Sequence, residues 1–134
     1  MRGYRCGVTA GYVLGRTGSP IRDKCYAFAL KSIRLARDLR RLREYELASQ
    51  ILRAGTSIGA NVEEAQAASS KADFVAKVAI GAKEAREAQY WLCLVRDSST
   101  EAGLDMDGML DEATELIRLL TAIVKTGRQA QRPS

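Results

Sequence analysis

The sequence predicts an all-α protein, a bundle of four helices, and three observations carry that prediction. Its two prolines, Pro20 and Pro133, lie near the ends of the 134 residues, so no ring breaks the long middle. Alanine, leucine, arginine, glutamate and lysine dominate that middle, a composition of strong helix formers. Apolar residues there recur in alternating steps of four and three, the seam of a left-handed bundle. A chain of this length builds one sizeable core rather than two.

Residues 1–20 read as a flexible leader. Gly3, Gly7, Gly11 and Gly15 stand four apart, a spacing that also suits close helix packing, but the segment is polar and glycine-rich. Its short apolar patch, Val8 to Leu14, has neither the length nor the flanks of a secretion signal. No run approaches the eighteen or so apolar residues that cross a bilayer. Cys6, Cys25 and Cys93 form no CxxC pair and no even-numbered framework. They read as reduced thiols in a cytoplasmic protein, with Cys25 and Cys93 as small core hydrophobes.

The bundle domain is expected over residues 21–127, and its first helix from Arg22 to Arg43. Phe28, Leu35, Leu39 and Leu42 supply the apolar stripe, widened by Tyr26, Leu30 and Ile33. The polar side is basic: Lys31, Arg34, Arg37 and Arg41 recur at three, three and four residues and share a face, and Arg40 stands beside them. The same stripe also suits ordinary solubilising charge.

A second helix is expected from Tyr45 to Ala68, with its seam at Leu47, Ile51, Ala54, Ile58, Asn61, Ala65 and Ala68. Asn61 on that seam reads as a buried, hydrogen-bonded residue that fixes register, and alternatively as an amide that touches a ligand. Gly55 and Gly59 each cost about 1 kcal/mol against alanine in mid-helix, so they read as a notch for a closely packed neighbour. Ser70 is a good N-cap for the third helix, and Asp73 stands where the reciprocal carboxylate belongs.

The third helix runs to about Arg96 on the seam Phe74, Val78, Gly81, Ala85, Ala88, Leu92 and Val95. Small residues in mid-seam let the second and third helices pack as a tight antiparallel hairpin. Tyr90 and Trp91 read as core or interface rings. The fourth helix is expected from Asp105 or Asp107 to Thr126, with Gly127 as its stop and residues 128–134 as a basic flexible tail. Asp107, Asp111, Glu112 and Glu115 in its first half complement the helix dipole, and its broad apolar face suits a neighbouring subunit.

Charge and missing residue types bound the function. Residues 1–43 hold eleven basic and two acidic side chains, and residues 97–115 hold seven acidic and none basic. A net charge of +5 and a pI near 9.3, segregated in this way, point to a polyanionic partner. Histidine is absent, which excludes a histidine base, a histidine metal ligand, the Glu-x-x-His pairs of di-iron bundles and nucleases built on an Arg…His motif.

Three functions remain. The first is a non-enzymatic oligomeric bundle that binds RNA or DNA by phosphate contacts through Lys31, Arg34, Arg37, Arg40 and Arg41, with Arg128 and Arg132 secondary. The second is a protein-interaction scaffold, in which the basic first helix of one subunit answers the Asp97–Glu115 region of another. The third is a metal-carboxylate enzyme using Glu63, Glu64, Glu84 and Glu87, although Lys83 and Arg86 alternate with the last pair as on an ordinary solvated helix. No cofactor and no metal ligand set is expected.

Three strings carry a resemblance: KCYAFAL (Lys24–Leu30), EYELASQILRAGTSIGANVEEAQAA (Glu44–Ala68) and SKADFVAKVAIGAKEAREAQYWL (Ser70–Leu92). Together they resemble the four-helix bundle proteins first described from intervening sequences inserted in bacterial 23S ribosomal RNA genes. The likeness spans Ile21 to Gly127. It implies an up-down-up-down antiparallel bundle assembled as a ring-like homopentamer, with no catalytic constellation. More distant members implied by it are accessory proteins of diversity-generating retroelements, which bind a reverse transcriptase and nucleic acid through a basic surface. It therefore adds a reverse transcriptase to the possible protein partners.

Overall fold

A serine opens the first helix. In the computed structural model, which describes residues 17–98 and 106–132, Ser19 accepts from the Arg22 N–H and Pro20 occupies the first turn. The Thr17 N–H and hydroxyl both donate to Asp23 Oδ1, at 2.7 and 2.9 Å, and fix the entry of the chain. Pro20 suits that place because its missing N–H would have no helical partner there. Helix α1 thus spans Pro20–Arg41, beginning two residues before the expected start, and the leader to Arg16 lies outside the described residues.

Three further helices follow: α2 Tyr45–Gln66, α3 Lys71–Asp97 and α4 Met106–Gln131. There is no strand among the described residues. The start of α3 matches its sequence signature: Ser70 Oγ accepts from the Asp73 N–H at 3.0 Å, and Asp73 Oδ2 accepts from the Ser69 N–H at 3.2 Å. The end of α4 does not. The helix continues through Gly127 to Gln131, so Arg128 is helical rather than part of a tail. A Cβ at Gly127 would fall 2.5 Å from Val75 Cγ2, so this glycine admits α3 at close range instead of stopping the helix.

Packing proceeds around the bundle from α1 to α2, α2 to α3 and α3 to α4, and the α1–α4 side is much the thinnest. On α1 and α2, Arg22 pairs with Glu63, and Cys25 and Ser32 lie against Gly59 and Gly55. On α2 and α3, Arg53 pairs with Glu84 and Glu87, and Glu64 with Lys77. On α3 and α4, Val75 abuts Gly127 and Gln89 bonds Thr114. In each pair the partner numbers fall on one helix as they rise on the other.

The core is one cluster of large and very small side chains. Phe28, Leu39, Ile51, Ile58, Leu92, Leu116 and Leu120 fill it, while Ala36, Ala54, Ala85 and Ala113 let backbones close around them. The seam of α3 is as expected except that Val75 is buried where Phe74 is half-buried. On α1, Leu42 is exposed rather than core, because the helix has already ended.

Candidate nucleic-acid interface

Helix α1 buries Cys25, Phe28, Ser32, Leu35, Ala36 and Leu39 on one side. At about 100° per residue the opposite side carries Arg34, Arg37 and Arg41 within roughly 60° of one another. All three are exposed, as is Arg40 on the flank. Arg41 pairs with Asp38 one turn back. Among the described residues, no carboxylate comes within ion-pair distance of Arg34, Arg37 or Arg40.

Lys31 stands apart from those arginines. It faces α4 and pairs with Glu112, while Lys24 reaches Glu115 at 3.4 Å. The basic helix and the acidic segment thus answer each other within one chain, through the two lysines. Glu112 uses only one carboxylate oxygen in this way; Oε1 is buried without a hydrogen-bond partner among the described residues.

Arg128 and Arg132 are exposed at the C-terminal end of α4, where they and Lys125 line a shallow surface depression with Thr121 and Gln129. The structure does not join them to the α1 arginines. Glu115 lies opposite Lys24, and Arg128 follows thirteen residues later, about 20 Å further along α4 and away from Arg34. The candidate residues therefore form two separate basic groups.

The residues expected to set the register divide in the same way. Asn61 is only half-buried, and its Nδ2 donates to the Ser57 carbonyl of its own helix at 2.9 Å; Val62 takes the buried place. The seam turns past Asn61 because α2 is flanked by two helices and its buried arc is centred between them. Gly55 and Gly59 do form a notch, but for α1: Gly55 faces Ser32 and Gly59 faces Cys25. Gly81 is the notch toward α2, against the Ile58 carbonyl. Trp91 packs at the core margin and donates its indole N–H to Glu87 at 3.0 Å, edge-on to Tyr90.

Burial pushes the Cys25 thiol up to about 12, with the Glu63 carboxylate adding to the effect. The group is a neutral core side chain. The four glutamates of the metal reading are each engaged by a cation: Glu63 by Arg22, Glu64 by Lys77, and Glu84 and Glu87 by Arg53. Among the described residues no set of three carboxylate or cysteine side chains is placed to hold a metal. Nor is any of their helices long and apolar enough to cross a membrane.

One surface residue escaped the sequence reading. Tyr45, the first residue of α2, is 56% exposed directly after the arginine-rich end of α1. Its signal was its position beside Arg40, Arg41 and Arg43, but at a helix start a tyrosine reads equally well as core.

The model of the 23S rRNA-intervening sequence protein family matches residues 19–122. The fold is also similar to the crystal structure of a protein with unknown function from the S23 ribosomal protein family of Bacteroides thetaiotaomicron. That protein is 40% identical, the match covers 78% of this chain and 98% of that one, and the TM-score is 0.71. None of the curated proteins compared with the chain matches it. The helices, the seams and the matched span agree: the chain belongs to the 23S rRNA-intervening sequence protein family.

Proposed function

We propose that this protein is a non-enzymatic, cytoplasmic bundle of antiparallel up-down-up-down topology that assembles as a homopentamer. Through the outer face of α1 it binds RNA or DNA by sequence-independent phosphate contacts. The observation that carries the reading is the set of exposed, unpaired guanidiniums at Arg34, Arg37 and Arg40. Cations already matched by a carboxylate have less to gain from a phosphate, and these are not matched within the described chain. Lys31 and Arg41 are shared with Glu112 and Asp38, so they rank behind those three. Arg128 and Arg132 are a separate, secondary contact. Descending partner numbers along each helix pair support the topology, and repetition around a ring would multiply weak contacts.

The test is an electrophoretic shift with RNA and with DNA at about 50 mM salt, followed by titration to higher salt. A shift lost steeply with salt supports the reading; no shift with either polymer refutes it.

A protein partner, a reverse transcriptase among them, is the second reading. It is favoured by Ile80, Tyr90 and Leu94, exposed apolar side chains on α3. Charge reversal at Arg34 and Arg37 separates the two. Loss of the oligomer favours the scaffold, and an intact oligomer that no longer binds nucleic acid favours the first reading.

A further inference from the structure

The turn between α1 and α2 is closed by backbone hydrogen bonds and carries an unusual residue. The Glu44 N–H donates to the Leu39 carbonyl at 2.8 Å and the Arg43 N–H to the Arg40 carbonyl at 2.9 Å. This is the paired-bond helix end in which a left-handed residue, ordinarily glycine, follows the cap. Here that residue is Arg43, with φ of 63°, the one non-glycine residue of positive φ among the described residues. The backbone therefore holds a long cation where a residue without a side chain would sit more easily.

Around it lie further exposed groups. Arg40 and Arg41 are exposed on the last turn of α1, and Leu42 and Tyr45 are exposed on either side of Arg43. Among the described residues neither Arg40 nor Arg43 has an ion-pair partner. A large ring at a bundle surface among unmatched guanidiniums has the composition of a base-stacking platform, in which the ring takes a base face and the cations take the flanking phosphates.

We propose that this turn binds single-stranded nucleic acid, with an unpaired base stacked on Tyr45 and Arg40 and Arg43 on the neighbouring phosphates. The proposal rests on the nucleic-acid reading above and names the form of its ligand. In a duplex each base face is covered by the next pair, so a lone surface ring has nothing to stack on. In a single strand every base offers a face.

Fluorescence anisotropy of the full chain tests this at about 50 mM salt, with labelled oligodeoxythymidylate and oligouridylate of about 15 nucleotides and a duplex of equal length. Tyr45→Ala is expected to weaken single-strand binding by about tenfold, Tyr45→Phe by less than about threefold, and neither to change duplex binding. Arg43→Gly is expected to raise the melting temperature, because glycine relieves the positive φ, and still to weaken single-strand binding several-fold. The proposal is overturned if Tyr45→Ala binds the single strand as well as the parent does. It is equally overturned if that variant loses single strand and duplex in step, or if Arg43→Gly changes melting alone. Absence of binding to all three probes overturns the nucleic-acid reading itself, and this proposal with it.

Discussion

Gly55 and Ser32 meet where α1 packs close against α2: a Cβ on residue 55 would fall 2.0 Å from Ser32 Oγ and 2.4 Å from Ser32 Cβ. The serine is fully buried, and its hydroxyl donates to the Phe28 carbonyl at 2.9 Å, so it has no free direction in which to retreat. Gly55→Ala is therefore predicted to destabilise by about 2 kcal/mol, overpacking outweighing the roughly 1 kcal/mol gained in helix propensity. Thermal melting of the pair checks the cause. Ser32→Ala should not rescue, because its Cβ remains, whereas Ser32→Gly should restore much of the loss.

The α1 arginines should be separable from the fold. Arg34→Gln and Arg37→Gln remove exposed guanidiniums without a carboxylate partner among the described residues, so stability should change by less than about 0.5 kcal/mol. Each should reduce the slope of log affinity against log salt by about 0.7–0.9, one phosphate contact. Slopes unchanged in both variants would remove α1 from the interface.

Glu112→Gln tests the internal charge pair. Both partners are partly exposed, with side-chain accessibilities of 43% for Lys31 and 35% for Glu112. The loss should be no more than about 1 kcal/mol at low salt and smaller at high salt. Chemical denaturation at two ionic strengths measures it, and a loss that grows with salt contradicts the assignment.

Cys25 makes a pH prediction. Its thiol is raised from an ordinary value of 9.0 to about 12, chiefly by burial. The folded state thus holds this proton more tightly than the unfolded chain. The resulting stability is fully present below about pH 9 and is lost as pH rises from there toward 12. Melting temperature should fall across that window, and less steeply in Cys25→Ala once each curve is referred to its value at pH 7. At pH 8 the native thiol should resist a disulfide reagent that modifies the denatured chain at once.

How far the sequence could be read depended on the range of each interaction. Ser70 and Asp73 were legible because a cap is completed within four residues. Phe28, Ile51, Ile58 and Leu92 were legible because periodicity marks a buried face whatever covers it. Gly127 was not: locally it reads as a stop, and only Val75, 52 positions away in sequence, explains it. Asn61 failed for a related reason, since the exact centre of a buried arc depends on two flanking helices at once. The charges of α1 were visible as a stripe, but which of them α4 engages was settled by Glu112 and Glu115.

The thin α1–α4 side has a dynamic consequence. Its Lys24–Glu115 and Lys31–Glu112 pairs weaken as ions are added, as do Arg22–Glu63, Arg53–Glu84 and Glu64–Lys77, but the other three sides also keep a much broader packed contact that salt does not screen. The four flanks of the molecule therefore answer ionic strength unequally. Backbone amides on the facing turns of α1 and α4 should be the first to exchange with solvent as salt rises, ahead of those in α2 and α3. Local opening has a preferred line, and it runs beside the arginine face.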